Sequence, residues 1–471
     1  MSRDDGPDAA APAPPASGSD GAATRASTGL SRRSLFARGA GLAGALAAPA
    51  LLSGCGSASG GRKELKFWQF YSPNPATGSP DLAKQDKWFA DMVAAWNAEH
   101  ETKIKLEFVT VLGNPKLATA FAAGEGPDIF LISPGDFARY YNGGVLAELT
   151  PYMEKEAVAD FFPDNMATRT VDGKVYALPM EIEPLAMFYS KPAMEKAHIS
   201  EADLPTTWDG LLDLGDKLKV AKQGPLVFPT AQGYYQNFTW YPFLWQTGAD
   251  AVLPNNKGSG MDTAGAANAL KLWRDSVQNG VAPRVEPAAA DVIGALTQGY
   301  ASVYHSGIWN VAAFRNRAPK FDYGVFPLPA PAGRKSRTVL GGWAFVANAL
   351  GRDPETAAKF CVWAIGSMRE DSINRVVDWC IKAKSDVAPR RSALERATAA
   401  GGYSDPVMKM FAEDIFPTGR GEPRYPPVVY KAVSDAIQQC QLAGGDPRQQ
   451  AELAAGSINA YLKSYEGARI L

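Results

Sequence analysis

The chain has 471 residues, too many for one compact core, so two lobes or domains are expected. Its 48 Lys and Arg nearly cancel 49 Asp and Glu, and no Lys/Arg-rich block stands out in the body of the chain, so the electrostatic footprint of a nucleic-acid binder is missing. With 46% hydrophobic and 21% charged residues, the composition is that of an ordinary globular protein.

Residues 2–30 are rich in Ala, Pro, Ser, Gly and Asp and nearly lack large apolar side chains, a composition expected to be disordered. Ser31-Arg32-Arg33-Ser34-Leu35-Phe36 then leads into a small, apolar run from Gly39 to Leu52. A charged stretch before an apolar one reads as an export signal, and the run is too short and too rich in Gly and Ala to span a membrane. The paired arginines resemble a twin-arginine export signal. Leu51-Leu52-Ser53-Gly54-Cys55 resembles the lipobox of bacterial lipoproteins, with Cys55 the residue that would carry lipid. Gly56-Ser57-Ala58-Ser59-Gly60-Gly61 follows as a flexible tether. Residues 1–54 are therefore assigned to a disordered start plus signal peptide, and 55–61 to lipidated Cys and tether. The expected location is the extracytoplasmic face of the cell membrane, held by lipid.

Past the tether, Leu65 to Phe70 is a β-rich run bounded by Tyr71-Ser72-Pro73-Asn74-Pro75. Trp88, Phe89, Met92, Val93 and Trp96 recur at helical spacing. Lys103 to Phe108 alternates as a half-exposed strand does. A helix is expected from Pro115 to Ala123 with Gly124 as its stop, then a strand covered on both faces at Asp128 to Ile132. Alternating strands and helices imply right-handed crossovers and a parallel sheet, hence a doubly wound α/β lobe. Farther on, Thr206 with Asp209 resembles a capping box for a helix to Leu218. Ala301 to Tyr304 reads as a strand, with Gly307 and a helix start after it. Asp353-Pro354-Glu355 caps a helix to Ile365, and Pro427 to Leu471 reads as helical with a break at 444–447. Cys361, Cys380 and Cys440 allow one disulfide, with Cys361–Cys380 the nearest pair in sequence, or three buried thiols.

Six short motifs then occur in one order. Gly124-Glu125-Gly126-Pro127-Asp128-Ile129, Gly173 to Pro179, Phe188-Tyr189-Ser190-Lys191, Pro205-Thr206-Thr207-Trp208-Asp209, Leu296 to Val303 with Gly307-Ile308-Trp309, and Gly341-Gly342-Trp343 are the segments. Together they resemble the extracellular solute-binding proteins of family 1, the maltose- and oligosaccharide-binding group. Tyr300 and Ser190 depart from the family pattern, where Lys or Arg and Asn are usual. The resemblance implies a two-lobed periplasmic-binding-protein fold of type II character, α/β, each lobe a doubly wound sheet, with ligand in the cleft between hinged lobes. By analogy, one lobe would hold 62–183 and 338–385, the other 186–328 and 390–471. Hinges would fall near Ile182-Glu183-Pro184, Pro327–Arg337 and Ala388-Pro389.

Ligands of open α/β sheets sit beyond the carboxyl ends of the strands. That rule selects Trp68, Gln69 and Tyr71 after the first strand, Ser133 and Asp136 after the third, and His305, Ser306 and Trp309 later. Sugars present a C–H-rich face and many hydroxyls, so aromatic plates beside carboxylates and amides suit them. The resemblance adds stacking aromatics from the run Tyr234 to Trp245, with Tyr235 and Trp240 selected and core packing the competing reading. Gly342 and Trp343 lie at a crevice loop, Glu181 beside the first crossover, and Arg390 after the last. Trp88, Trp96, Trp273 and Trp363 are read as core.

Only His100, His198 and His305 are present, and no H-E-x-x-H, G-x-S-x-G or P-loop pattern occurs. No enzyme activity, metal or cofactor is expected. The resemblance implies the substrate-binding component of an ABC importer, a monomer that binds a carbohydrate by hinge closure and docks on permease subunits. A sensor subunit for a membrane receptor, or less readily a secreted polysaccharide-degrading enzyme, are the rivals.

Overall fold

The computed structural model describes residues 64–71, 80–109, 115–287 and 291–471. The segment expected to be an export signal, Cys55 and the expected tether lie outside the described residues. The described residues form one compact unit.

The strands in chain order are β1 (Glu64–Gln69), β2 (Lys103–Phe108), β3 (Ile129–Ile132), β4 (Thr170–Val171), β5 (Lys174–Val175), β6 (Leu178–Pro179) and β7 (Glu183–Ser190). They continue with β8 (Leu226–Val227), β9 (Val303–Gly307), β10 (Tyr323–Phe326), β11 (Thr338–Gly341), β12 (Ala344–Ala347) and β13 (Gly419–Gly421). One sheet has the order β2-β1-β3-β12-β6; the other runs β13-β11-β7-β9-β8, with β10 paired to β7. β4 and β5 make a separate small hairpin.

In the first sheet β1 is parallel to β2 and β3, as the strand–helix alternation requires. Every side chain of β3 is buried, consistent with its unbroken apolar run. The helix Pro80–Glu99 lays Trp88, Phe89, Met92, Val93 and Trp96 on that sheet. Phe67 meets Phe89 and Phe345 edge-on at ring-centroid distances of 5.7 and 5.2 Å. Each such ring, fully buried, contributes roughly 1.5–3 kcal/mol of transfer free energy. The helix Pro115–Ala122 ends as expected: Gly124 has φ +73°, open to glycine and costly for other residues.

The second sheet is built around β7, all eight of whose side chains are buried. Helices Trp208–Val220, Tyr234–Gln246, Ala264–Gln278, Pro427–Gln441 and Pro447–Leu462 belong to this half. The helix at 208 is capped by Thr207, whose Oγ1 accepts from Gly210 N at 3.1 Å, one residue later than the sequence pattern suggested. Asp353 caps the helix Pro354–Cys361 as expected, its carboxylate accepting from Thr356 N. That helix then widens to π-helix over Val362–Gly366.

Three segments carry the chain between the sheets, side by side. Met180–Ile182 leads from β6 to β7, Gly342 and Trp343 lead from β11 to β12, and Val387 lies on the third path. Met180 N donates to Trp343 O at 3.0 Å, and Ile182 N to Val387 O at 2.9 Å. The return crossing is therefore at Gly342, not in Pro327–Arg337, and β11 at 338–341 pairs with β7 and β13 of the second sheet. Pro327–Arg337 remains on the second-sheet side, where Ala330 bridges Thr207. The helix Arg391–Ala399 buries Ala393 and Ala397 in the same core cluster as Ile373 and Val376 of the helix Glu370–Asp378. That helix packs directly on Glu370–Asp378, so residues just after 390 touch the segment that follows β12 of the first sheet. Cys361, Cys380 and Cys440 are buried and free, so the Cys361–Cys380 bridge is not formed.

Candidate functional site

A cavity of about 730 Å³ opens where the carboxyl ends of both sheets meet the crossing segments. From the first sheet come Phe70 and Tyr71 after β1, Ser133 after β3, and Gln85 from the helix Pro80–Glu99. The second sheet contributes Glu183 at the start of β7, Glu422 just after β13, and Trp309 at the start of the helix Asn310–Arg317. Tyr234, Tyr235 and Phe238 project from one face of the helix Tyr234–Gln246. Gly342, Trp343 and Lys384, from the crossing region, complete the floor. The halves touch at Tyr234, whose ring lies so close to Gly135 that a Cβ there would come within 2.0 Å of it.

Under the floor, one ammonium is shared by three carboxyls. Lys384 Nζ is 3.0 Å from Glu181 Oε2 and 3.1 Å from Asp386 Oδ2, and it also contacts Glu183 Oε1. Glu181 accepts further bonds from Trp379 Nε1 at 2.6 Å, Tyr71 Oη at 3.2 Å and Trp343 N at 3.2 Å. Burial alone would raise the Glu181 carboxyl, but the Lys384 charge and hydrogen bonds from Asp386, Lys384 and Trp379 hold it below the ordinary range. Glu183, with fewer donors, is pushed up to about 7 by burial, the attraction of Lys384 notwithstanding. Asp386 is raised by burial, with Glu181 and Glu183 adding repulsion against the pull of Lys384. Lys384 is held well above its usual value, because three carboxyls outweigh its desolvation.

A second carboxyl stands on its own. Glu422 accepts from Tyr234 Oη, and burial pushes it up to about 8 despite that bond and the nearby Arg169. Arg169 donates from Nη1 to Asn165 O at 2.6 Å and from Nη2 to Gly342 O at 2.8 Å, and burial lowers it to about 10. Glu181, Glu183 and Asp386 bring carboxylate oxygens within 4.8 Å of one another, a spacing that suits a metal ion. The Lys384 ammonium already lies among them, so a metal would have to displace it.

Of the residues expected at the site, Tyr71, Ser133, Tyr235, Trp309, Gly342 and Trp343 line the cavity. Glu181 lies directly beneath, fully buried. Ser306 is also just behind the wall, bonded to Asn310 Nδ2 at 2.8 Å and facing Tyr235 Oη at 3.3 Å. Asp136 sits in the first turn of the helix Pro134–Asn142, its carboxylate 3.9 Å from Arg139 and outside the lining.

The rest are elsewhere. Trp68 donates to Glu107 Oε2 at 2.8 Å, with Lys116 over its ring, and faces a different groove. Gln69 is buried within β1. Trp240 is fully buried and donates to Ala269 O at 3.3 Å, so packing wins over stacking. His305 is caged by Phe243, Phe228 and Trp273, and burial pushes it down to about 3. The cause for His305 and Ser306 is shared: β9 runs to Gly307, three residues beyond the expected end, so both belong to a buried strand. Arg390 is fully buried and latched to Asp160 Oδ2 at 2.7 Å and to Ile365 O and Ser367 O at 2.9 Å.

Sequence reasoning missed Lys384, Glu422 and Gln85. For Tyr234 and Phe238 a signal existed, because residues 234, 235 and 238 share one helix face and Trp240 lies on the opposite one.

The model of a family described as bacterial extracellular solute-binding protein matches residues 79–368. A Brucella abortus (strain 2308) protein, named for binding without a stated ligand, is 28% identical over 260 residues. That match covers 54% of this chain and 62% of the relative, so the chain spans less than two thirds of the relative's length. The galactooligosaccharide-binding protein of Bacillus subtilis (strain 168) is 25% identical over 389 residues, 79% of this chain and 86% of its own. Among solved structures, the cyclic alpha-maltosyl-1,6-maltose binding protein from Arthrobacter globiformis matches with a TM-score of 0.69. It is 21% identical, and the match covers 86% of this chain and 100% of that one.

Proposed function

Because the chain belongs to the bacterial extracellular solute-binding protein family, we propose that it is the extracytoplasmic substrate-binding component of an ABC importer and that its ligand is a carbohydrate. The observation that carries this reading is the cavity itself. Its aromatic rings come from both halves, Phe70 and Trp343 on one side and Tyr235, Phe238 and Trp309 on the other. Carboxyl and amide groups are interleaved with them, the mixture that a hydroxylated ring with apolar faces requires. The oligosaccharide named for the Bacillus subtilis relative agrees with it.

The lobes move as units in this proposal, with boundaries near the crossings at Met180–Ile182, Gly342 and Val387. A ligand touching both walls favours the closed arrangement, and the closed form docks on the permease as a monomer. Lipid on Cys55 and twin-arginine export would keep the domain at the outer face of the cell membrane. The buried carboxyls are read as binding groups rather than a catalytic pair, because Lys384 and Trp379 hold Glu181 in place.

The test is a thermal-shift screen of the purified full-length protein against sugars, polyols, amino acids and glycerol phosphates. Saturating ligand adds roughly 2.7 kcal/mol at a hundredfold excess over Kd, enough to raise the midpoint measurably. A hit confined to amino acids or phosphorylated compounds would remove the carbohydrate from the proposal.

A further inference from the structure

We infer that the carbohydrate carries an amine, and that its ammonium is seated between Glu183 and Glu422; this rests on the carbohydrate reading above. Both glutamates line the cavity, and both are placed by β11. Glu183 is the register partner of Gly341, while Glu422 N donates to Leu340 O at 3.2 Å. Gly341 carries no side chain, and the Phe238 ring packs there, 2.7 Å from where a Cβ would stand. Glu422 Oε2 lies 3.4 Å from the same point, so the aromatic wall and the carboxyl meet there.

Carboxyls outnumber cations around the cavity, and protons held by Asp386, Glu183 and Glu422 make up the difference in the absence of another cation. Four buried carboxyls, Glu181, Glu183, Asp386 and Glu422, face two buried cations, Lys384 and Arg169. Lys384 is already shared by three of the four. Arg169 directs both Nη groups to carbonyl oxygens, and Arg317 at the rim bonds Asp291 at 2.7 Å. Among the described residues no Lys or Arg pairs with Glu422; its hydrogen-bond donor is the Tyr234 hydroxyl.

A separate observation points the same way. Gln85 lines the cavity, is only 5% exposed, and its Oε1 has no hydrogen-bond partner. A buried acceptor without a donor costs free energy until a ligand supplies one. The two carboxylates offer acceptors that an ammonium with its several N–H groups satisfies better than a hydroxyl, and Gln85 is a further acceptor in the lining of the same cavity. The aromatic walls add favourable cation–π contact.

The protonation equilibria give the inference its sign. Glu183 faces Lys384 and Glu181; Glu422 faces Tyr234, Arg169, Glu183 and Asp136. Burial raises the two to about 7 and about 8, so near neutrality each holds a proton much of the time. An ammonium already charged in solution displaces a carboxyl proton on binding and releases it, whereas an amine that arrives neutral takes that proton itself and releases none.

The experiment is calorimetric titration of the full-length protein with chitotriose bearing free amines, its N-acetylated counterpart and cellotriose. Titrations are run at about pH 5.5 and 7.5 in buffers of differing ionisation enthalpy, which counts released protons. The expected result is an affinity for the free amine about tenfold or more above both neutral trisaccharides. Protons should be released at the lower pH, where the amine is charged in solution and the carboxyls are protonated, with little release at the higher. Glu422→Gln and Glu183→Gln should each collapse that ratio; the proton count needs no variant. Equal or tighter binding of a neutral trisaccharide overturns the amine and leaves the carbohydrate standing. If none of the three binds, the amine falls, and the thermal screen decides the carbohydrate.

Discussion

Lys384 Nζ lies 3.0 Å from Glu181 Oε2 with both side chains almost fully out of water, at 6% and 0% exposure. The pair joins the third crossing segment to the first, so the ion cluster is a fastening between the paths that link the sheets. Lys384→Met should cost about 3–5 kcal/mol, because it leaves buried carboxyls without their counter-charge. Adding Glu181→Gln to that variant should recover part of the loss. Urea unfolding of the three proteins measures this, and a loss below about 1 kcal/mol for the single variant would contradict it.

Glu422 makes stability depend on pH in a defined direction. Its folded value of about 8 lies above the ordinary 4.5, so the folded state holds the proton more tightly. Stability is therefore greatest below about 4.5 as far as this group is concerned, and falls as pH rises toward 8, by up to ~1.4 kcal/mol per pH unit. Glu183 acts in the same sense up to about 7. Glu422→Gln should flatten the decline between about pH 5 and 8, read as unfolding midpoints along a pH series. An unchanged slope would show that the carboxyl ionises freely in the folded protein.

The first sheet is legible in the sequence because its strands alternate or run apolar over short, bounded stretches, and its helices show a clear stripe. The rule of strand carboxyl ends also found Tyr71, Ser133 and Trp309. It failed at His305 and Ser306 because the apolar run ends at Tyr304, whereas the strand continues through both residues. In the structure Gly307 ends the strand, and a Cβ there would come within 1.9 Å of the Trp309 ring. Trp240 failed for a different reason: a helix rich in aromatics all round gives no polar face to tell cavity from core. Lys384 lay beyond any local reading. Its partner Glu181 is 203 residues away, and no periodicity connects such positions. Glu422 follows a three-residue strand of Gly-Arg-Gly, which carries almost no β signal.

Arg390 separates stability from binding. Its guanidinium bonds Asp160 and two carbonyls and is fully buried, away from the cavity. Arg390→Met should destabilise the protein by about 3–5 kcal/mol, since Asp160 loses its buried partner. Ligand affinity of the folded fraction should stay within about twofold of wild type. A selective loss of affinity at full stability would return Arg390 to the ligand.

Cys55 tests the anchor. If lipid on this residue holds the domain at the membrane, Cys55→Ala should move the protein from the membrane pellet to the soluble fraction in its native host. Fractionation followed by immunoblotting reads this out, and retention in the pellet would show that something other than the Cys55 lipid holds it.

Trp309 is where the binding surface and the core are closest. It lines the cavity, yet its ring also stands 6.3 Å from Tyr235 and 6.3 Å from Phe238 and lies against Gly307. A core ring of this size, truncated to Ala, costs about 3–5 kcal/mol of stability. A ring that faces solvent on one side in the free protein loses much less, and its removal is felt when ligand covers it. Trp309→Ala is therefore expected to lower stability by less than about 2 kcal/mol while weakening ligand binding about a hundredfold, the larger effect falling on dissociation. Trp309→Phe should restore most of the affinity, because it keeps an aromatic plate at the same place. The two measurements are unfolding midpoints and calorimetric Kd on the same preparations. A stability loss near 4 kcal/mol with unaltered affinity would mean that the cavity wall at this point is core, and that the ligand leans on Tyr235 and Trp343 instead.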